Sequence, residues 1–341
     1  MAGEEKQHQI AKINDQLFGM NFQNKSLNPG TPAPVNSKDG SACNVSSQLN
    51  LNDTNDIKVK RLALLRAQAY TLLSQFKFAE AAKPLEEIAS MKITAGLDTS
   101  LLFVECYLQL GRENKANKAI EDVRNILLTP PCPDVSDVLC LADELTEISC
   151  FIRALVLLRI AGTMFITNSQ SGNDALDGVN KCINKTHNIV GGMIAAGDRL
   201  LAIAIDYGIE YMNEMLESLR SLQNVYSEKK ALLIAFCVNK IGFNYGLAKD
   251  NGKSVRVRKG GAEEFERHFG SNATKYRVYG MLLHNIGIGN NNMGKFVEAQ
   301  THYLKAIDAK KMALDYDTEK EKTDDVELSE KSLADTLQRI S

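Results

Sequence analysis

The sequence predicts an all-α protein, a solenoid of stacked helix–turn–helix pairs closed by a C-terminal capping helix. Three observations predict this class. From residue 57 to about 315, apolar residues recur at the i, i+3, i+4 and i+7 spacing of amphipathic helices. Strand-like alternation is nearly absent there, and only 7 prolines interrupt the 341 residues. Similar stretches also recur along the helical region, which is typical of repeat architectures.

The N-terminal residues 1–56 are predicted to form a flexible arm. Most of this segment is rich in Asn, Ser, Pro and Gly and poor in large apolar residues. Such a composition buries too little apolar surface to offset the entropy lost on ordering. Ile10, Ile13 and Leu17 recur at helical spacing, which predicts a short helix over residues 8–18.

The helical region 57–315 is predicted to contain five to six repeated units. In each matched stretch an apolar residue is followed by a small one, and a turn comes about seven residues later. A small residue follows five positions after the turn, usually with a large one four further on. The matched stretches begin at Leu65, Phe103, Leu141 and Ile286.

The last unit carries the pattern most clearly. Ile286 and Gly287 form the apolar–small pair, Gly294 takes the turn, and Ala299 and Tyr303 form the small–large pair of the second helix. This pattern resembles the tetratricopeptide repeat, a helix–turn–helix unit in which small residues let two helices approach closely. The resemblance implies a stack of such units, although the tryptophan of the family pattern is absent from this chain.

The remaining units leave two questions open. In the first unit, either Ala79 or, in a shifted register, Ala81 fits the central small position. A weaker unit covers about residues 183–216 and includes Gly197. The stretch 219–279 fits the pattern poorly, so it is either a degenerate repeat or an insertion.

The C-terminal residues 316–341 are predicted to form an acidic linker and the capping helix. Val326, Leu333, Leu337 and Ile340 fall on one face of that helix, as expected of a helix that covers a core.

Composition bounds the function. The formal net charge of −2 provides no global basic field for nucleic acid or anionic membranes. The polar N-terminus predicts no secretory signal, and no apolar run predicts membrane insertion. The 7 cysteines contain no CxxC pair, which predicts a reducing compartment, cytoplasmic or nuclear. The histidines lack metal-ligand spacing, so neither a metal site nor a cofactor is expected.

The stretch Gly289–Phe296 spells G-x-x-x-x-G-K, which is close to a phosphate-binding P-loop. A P-loop places a Ser or Thr hydroxyl on magnesium after the lysine, and this chain has Phe296 there. The preceding segment also fits an amphipathic helix rather than a strand. We therefore interpret Gly294 as the turn of a repeat and expect no nucleotide or other small-molecule substrate.

The stretch 249–259 contains five cations flanked by Asn-Gly and Gly-Gly, and it is predicted to be a solvated loop. Two functional alternatives are left open there. The loop could contact RNA phosphates, although no aromatic side chain among the charges would stack on bases. Ser254 could also be phosphorylated beside the cations.

The resemblance to tetratricopeptide repeats also implies where a partner binds. In that family the first helix of each unit lines a concave groove. Carried over residue by residue, those positions predict a mildly acidic groove with leucines, suited to a partner segment with apolar and basic residues. The chaperone-binding set of Lys and Asn is missing in the first three units, so a chaperone C-terminus is not expected. The predicted partner-binding residues are Gln68, Glu105, Gln109, Asp143, Glu147, His284 and Asn291.

Repeat resemblance without a catalytic constellation predicts a non-catalytic adaptor or scaffold subunit of a multiprotein complex. Two alternatives stay open. One is an RNA-associated helical-repeat protein that uses the basic 249–259 loop. The other is an enzyme whose site lies in the poorly matched stretch 219–279.

Overall fold

The computed structural model describes residues 45–91, 96–130, 132–168, 172–222 and 227–340. Within these ranges the chain forms 13 α-helices and one short 3₁₀ helix. The predicted helix over residues 8–18 lies outside the described residues, and the first helix already begins at Val45, inside the predicted arm. The α-helices are α1 Val45–Ser74, α2 Phe78–Ser90, α3 Leu97–Gln109, α4 Glu113–Leu128, α5 Val135–Glu147, α6 Phe151–Asn168, α7 Gly172–Ala196, α8 Leu201–Ser221, α9 Ser227–Leu247, α10 Asn251–Phe269, α11 Arg277–Asn292, α12 Phe296–Met312 and α13 Glu319–Ile340.

The helices pack as consecutive pairs, which confirms the predicted all-α repeat class. The chain divides into two compact units, residues 1–132 and 133–341. Unit 1 contains the pairs α1/α2 and α3/α4. Unit 2 contains α5/α6, α7/α8, α9/α10 and α11/α12, followed by α13. The boundaries predicted at residues 57 and 315 stay a prediction.

A left-handed residue ends the first helix of every described pair. At each such position the residue's N–H donates to the carbonyl three residues back, and the next N–H donates to the carbonyl five residues before it. This arrangement is the Schellman motif, which satisfies the last carbonyls of a helix. In the last pair, for example, Lys295 N donates to Asn290 O over 2.9 Å after Gly294, at φ +74°. The six residues are Phe76, Gly111, Ser149, Gly197, Lys249 and Gly294.

Small residues placed after these turns let the two helices of a pair touch. Ala299, five residues after Gly294, is fully buried, and Ala116 and Ala154 are buried at the same offset in their pairs. In the first pair Ala81 holds this position, whereas Ala79 is exposed, so the shifted register is the correct one.

A glycine in the first helix makes room for a large side chain of the second helix. A Cβ added to Gly287 would lie 2.6 Å from the Tyr303 ring, so only glycine fits. Gly289 has a separate role, because a Cβ there would lie 2.4 Å from Val255 Cγ2 of the neighbouring pair. The P-loop-like stretch is therefore the contact and turn of a helix pair, as predicted.

The stretch 219–279 forms the helix pair α9/α10, so it is a divergent repeat. Gly242, Lys249, Ser254 and Arg258 occupy the positions of Gly287, Gly294, Ala299 and Tyr303. A Cβ on Gly242 would lie 2.7 Å from the Arg258 guanidinium carbon, which repeats the glycine–tyrosine contact of the last pair.

The prediction of a loop over residues 249–259 is wrong, because residues 251–259 belong to helix α10. Asp250 caps α10 by accepting a hydrogen bond from Lys253 N, and the helix runs through Gly252, Gly260 and Gly261. Ser254 is buried and donates to Gly242 O over 2.7 Å, so it presents no accessible hydroxyl for phosphorylation. Arg258 is only 5% exposed, whereas the other four cations of this stretch are exposed to solvent.

Helix α6 forms the centre of the first part of unit 2. It packs against α5, α7 and α8, and nearly all of its apolar side chains are buried. Among the described helices it alone is long and apolar enough to cross a membrane, and 61% of that window is buried inside the protein.

The last helix, α13, packs against α12 and α11 as a cap. The predicted apolar face is only partly correct, because Leu337 and Ile340 are 42% and 43% exposed. Val326, Ser329 and Thr336 are the buried residues of α13. The buried part of the cap therefore consists of small and polar side chains.

Candidate protein-interaction site

The first helices of three consecutive pairs lie side by side in unit 2. Helix α9 contacts α7 on one side and α11 on the other. The second helices α8, α10 and α12 pack behind them. A side chain that points away from the second helices therefore reaches a surface shared by α7, α9 and α11.

Helix α9 presents an apolar stripe on this surface. Its members follow one another at spacings of four, four, three and four residues, which keeps them on one helical face. Phe236 is 36% exposed, an unusual state for a phenylalanine, and the other members are half-buried. The stripe consists of Leu232, Phe236, Lys240, Phe243 and Leu247.

The flanking helices add apolar and amide side chains. On α11, Ile288 is 37% exposed, and Asn285 Nδ2 donates to Asn239 Oδ1 of α9 over 3.0 Å. On α7, the exposed Asn184 donates to Asn180 Oδ1 over 3.1 Å. We call this surface the inner face, and it consists of the α9 stripe with Asn180, Asn184, His187, Asn285 and Ile288.

Carboxylates are almost absent from the three helices that form the inner face. Helix α11 contains none, and the only acid in α9 is Glu228, which accepts a hydrogen bond from Tyr276 Oη over 2.7 Å. The acids of α7 lie in its first two turns, where Asp177 pairs with Lys229 at 2.7 Å. The inner face thus combines apolar groups, neutral amides and one cation, Lys240.

Two titratable side chains lie together near the centre of the inner face. His187 packs edge-on against Phe243, with 4.9 Å between ring centroids. Burial and the nearby Lys240 ammonium lower the pKa of His187 to about 4, so its imidazole is neutral at pH 7. Burial also lowers the pKa of Lys240.

The predicted groove residues of unit 1 lie on its first helices. Gln68 is exposed on α1, and Glu105 and Gln109 are half-buried on α3. The side-chain nitrogen of Gln109 is buried and has no hydrogen-bond partner among the described residues. Partner binding by these three residues stays a prediction.

Asp143 and Glu147 lie on α5 of unit 2, and both are exposed. Asp143 forms an ion pair with Lys185 of α7. This pairing partly neutralises the acidic character predicted for the groove, because the Asp143 carboxylate already has the Lys185 ammonium beside it.

His284 and Asn291 lie on α11 and face the capping helix. His284 is 5% exposed, and its Nδ1 is 2.9 Å from the Ser329 hydroxyl. Asn291 Oδ1 accepts a weak hydrogen bond from Thr336 at 3.4 Å. The chain's own helix therefore covers these two predicted positions, so a partner could reach His284 only if α13 moved away.

A pocket of about 530 Å³ lies on the other side of unit 2, between α8, α9 and α10. Three of its charged groups are already engaged within the protein. Arg220 pairs with Glu264 at 2.7 Å, and Lys230 Nζ donates to the carbonyls of Arg220 and Leu222. Among the described residues no group of three His, Cys, Asp or Glu side chains is placed to bind a metal ion.

Sequence reasoning missed Phe236, Lys240 and His187. Their helices lack the aromatic positions that carried the repeat resemblance elsewhere. A signal was present in the charge pattern, because Asp250 is the only acid between Lys229 and Ala262 and no acid occurs between Glu266 and Glu298.

No protein-family model and no curated protein matches the sequence. Among solved structures, the apo form of RapI aligns with a TM-score of 0.41 and 14% identity, covering 82% of this chain and 74% of that one. A P58(IPK) TPR domain aligns with a TM-score of 0.26 and 12% identity, covering 83% and 68%. A circular tandem repeat protein gives 0.30 and 8%, covering 82% and 65%. These similarities concern the helical-repeat fold alone.

Proposed function

We propose that this protein, a helical-repeat chain of tetratricopeptide-like fold, is a non-catalytic adaptor or scaffold that binds a partner protein segment on the inner face of unit 2. The observation that carries the proposal is the exposure of two large apolar side chains, Phe236 of the α9 stripe and Ile288 of α11. Side chains of this kind lose apolar exposure when a partner covers them, which favours association.

The amides of the inner face support an extended or helical peptide as the partner. Asn and Gln side chains can both donate to and accept from a peptide backbone. Apolar anchors between such amides are a recurring arrangement in peptide recognition.

Photo-crosslinking within cells tests the proposal. A benzophenone amino acid at Phe236 should give crosslinks to a specific protein segment, mapped by mass spectrometry. The same group at Leu304, an exposed leucine on α12, serves as the matched control. The captured segment, made recombinantly, should then bind the wild-type chain and lose that binding in Phe236→Ala. Equal binding by wild type and Phe236→Ala would contradict the proposal.

The predicted surfaces outside the inner face stay part of the hypothesis. Gln68, Glu105, Gln109 and Glu147 are candidate contacts for a second segment or another subunit of the same complex. A benzophenone amino acid at Glu105 would measure, in the same experiment, whether a partner contacts these positions.

A further inference from the structure

Lys240 lies on the inner face as a cation without a counter-ion. Its side chain is half-buried in the middle of α9, and no hydrogen bond or ion pair joins its ammonium to any residue in the described ranges. Burying a charge without a partner costs free energy that an opposite charge would recover. The half-buried position partly desolvates this ammonium, so an anion bound beside it would offset that cost.

His187 of α7 supplies a second polar group on this part of the face, because its ring lies 4.9 Å from that of Phe243, which is one turn after Lys240 on α9. Its Nδ1 is buried and has no hydrogen-bond partner among the described residues. The ring stays neutral at pH 7 because burial and Lys240 lower its pKa to about 4. A neutral imidazole carries one N–H, and Nε2, the nitrogen that is not buried, is the place where that N–H can donate to a ligand.

The surroundings favour a negatively charged ligand with an apolar group next to it. The acids of α7 and α9 lie about three helical turns from Lys240 and His187 and are already engaged, since Asp177 pairs with Lys229 and Glu228 accepts from Tyr276. An anion from outside is therefore the group that Lys240 lacks. Phe236 is one helical turn before Lys240 and is exposed, so an apolar side chain next to the anion would be covered as well.

We propose that Lys240 and His187 bind the side-chain carboxylate of an aspartate or glutamate in the partner segment, while Phe236 receives an apolar residue next to that acid. This inference rests on the proposed function of the inner face. It assigns the partner an acidic motif, whereas the predicted groove of the first units would suit a basic one.

A phage-displayed library of random 12-residue peptides, selected on the full chain, tests the inference. The displayed peptides are fused at their C-termini, so only side-chain carboxylates are offered. We expect the selected peptides to share an Asp or Glu beside an aromatic or aliphatic residue. Synthetic versions with an amidated C-terminus should bind, and changing the acid to its amide should weaken binding about tenfold or more.

Variants of the protein complete the test. Lys240→Met and His187→Phe should each bind the selected peptides at least about tenfold more weakly, and Lys240→Arg should retain most of the affinity. Lys305→Met, at an exposed lysine on α12, is the matched control and should bind as wild type. Thermal melts establish that each variant is folded.

Two failures are distinguishable. Peptides that lose binding in Phe236→Ala but show no shared acid, or that bind Lys240→Met normally, would overturn this inference and leave the proposed function standing. Selected peptides that bind Phe236→Ala as well as wild type would overturn both.

Discussion

Arg258 shows that one position of the repeat can hold side chains of different chemistry. It takes the position that Tyr303 holds in the last pair. Its Nε donates to Asn239 Oδ1 over 3.0 Å, its Nη2 to Asn239 O over 3.3 Å, and its Nη1 to Ser254 Oγ. Burial without a carboxylate partner lowers the pKa of Arg258 to about 10. The side chain therefore serves as a large, hydrogen-bonded core group.

Arg258→Ala should lower the free energy of unfolding by about 2–4 kcal/mol, because it removes this packing and leaves a cavity. Lys259→Ala, one residue on, is the matched control and should change stability by less than about 0.5 kcal/mol since Lys259 is exposed. Denaturant unfolding of both variants measures the difference. Equal losses would mean that α10 is not packed through Arg258.

Glycine positions give a second test at the same scale. Gly287→Ala should lower the melting temperature, because its Cβ would meet the Tyr303 ring, which packing holds in place. Gly260→Ala, also in a helix but with no atom within 4 Å of the new Cβ, should raise stability by about 0.5–1 kcal/mol through helix propensity. A stabilising Gly287→Ala in the same melts would disprove the close contact of α11 and α12.

His284 should make the stability depend on pH. Burial, then Lys310, lower the pKa of His284 from 6.5 to about 4, although Asp325 opposes this and Arg258 adds to it. The unfolded chain therefore binds more protons between these two values, and stability falls as the pH falls from about 6.5 to about 4. This group can account for up to roughly 3 kcal/mol of the loss.

His284→Gln should flatten that part of the pH profile of unfolding, whereas His268→Gln, at an exposed position, should leave it unchanged. Unfolding in guanidinium at several pH values measures both. An unchanged slope in His284→Gln would show that this histidine is not buried neutral in the folded protein.

At the scale of elements, the capping helix is attached by a polar cluster. Lys310 of α12 is 1% exposed, and its Nζ donates to Asp325 Oδ1 over 2.6 Å and to Ser329 Oγ over 2.8 Å. Tyr316 Oη donates to Asp325 Oδ2 over 2.7 Å. The Lys310 contacts, with hydrogen bonding from Tyr316, hold the pKa of Asp325 below its usual value in spite of burial.

Asp325→Asn should therefore release α13, because it leaves the Lys310 ammonium buried without its carboxylate. We expect a loss of about 3–5 kcal/mol, the range seen when one partner of a buried ion pair is removed. Asp324→Asn, at the exposed neighbouring acid, is the control. Hydrogen exchange should become faster across α13 and in α11 around His284 in the first variant only. Unchanged exchange there would contradict the attachment described.

The elements also show what sequence reasoning could and could not provide. The last unit was predictable because glycine and alanine mark the close contacts and Tyr303 marks the large position. The α9/α10 pair follows the same spacing with Lys249, Ser254 and Arg258, and their polarity made this repeat resemble a loop. Whether such polar residues are buried depends on the helix they pack against, since burial of Arg258 depends on Gly242 and Asn239 of α9.

At the scale of the whole molecule, the all-α repeat class followed from periodicity, but the candidate site did not. Lys240 and His187 belong to different helix pairs, and no local motif joins them. The groove positions carried over from the family include His284 of α11, yet they do not account for α13 covering it. A repeat fold determines which helices lie side by side, whereas the charge and exposure of individual side chains determine which surface can bind.

Unit 2 is the better candidate for partner binding. Its inner face has exposed Phe236 and Ile288, an ammonium without a counter-ion, and few carboxylates. The acidic positions predicted for the first three pairs are divided between the two units, with Glu105 in unit 1 and Asp143 in unit 2.

The central claim is that the inner face of unit 2 binds a partner segment, and calorimetry tests it most directly. The segment mapped by crosslinking would be titrated into the wild-type chain, into Phe236→Ala with Ile288→Ala, and into Val297→Ala with Leu304→Ala, an equally apolar pair on α12. We expect the inner-face variant to lose about 2 kcal/mol or more of binding free energy and the α12 variant to bind as wild type. Equal affinities for all three proteins would contradict it.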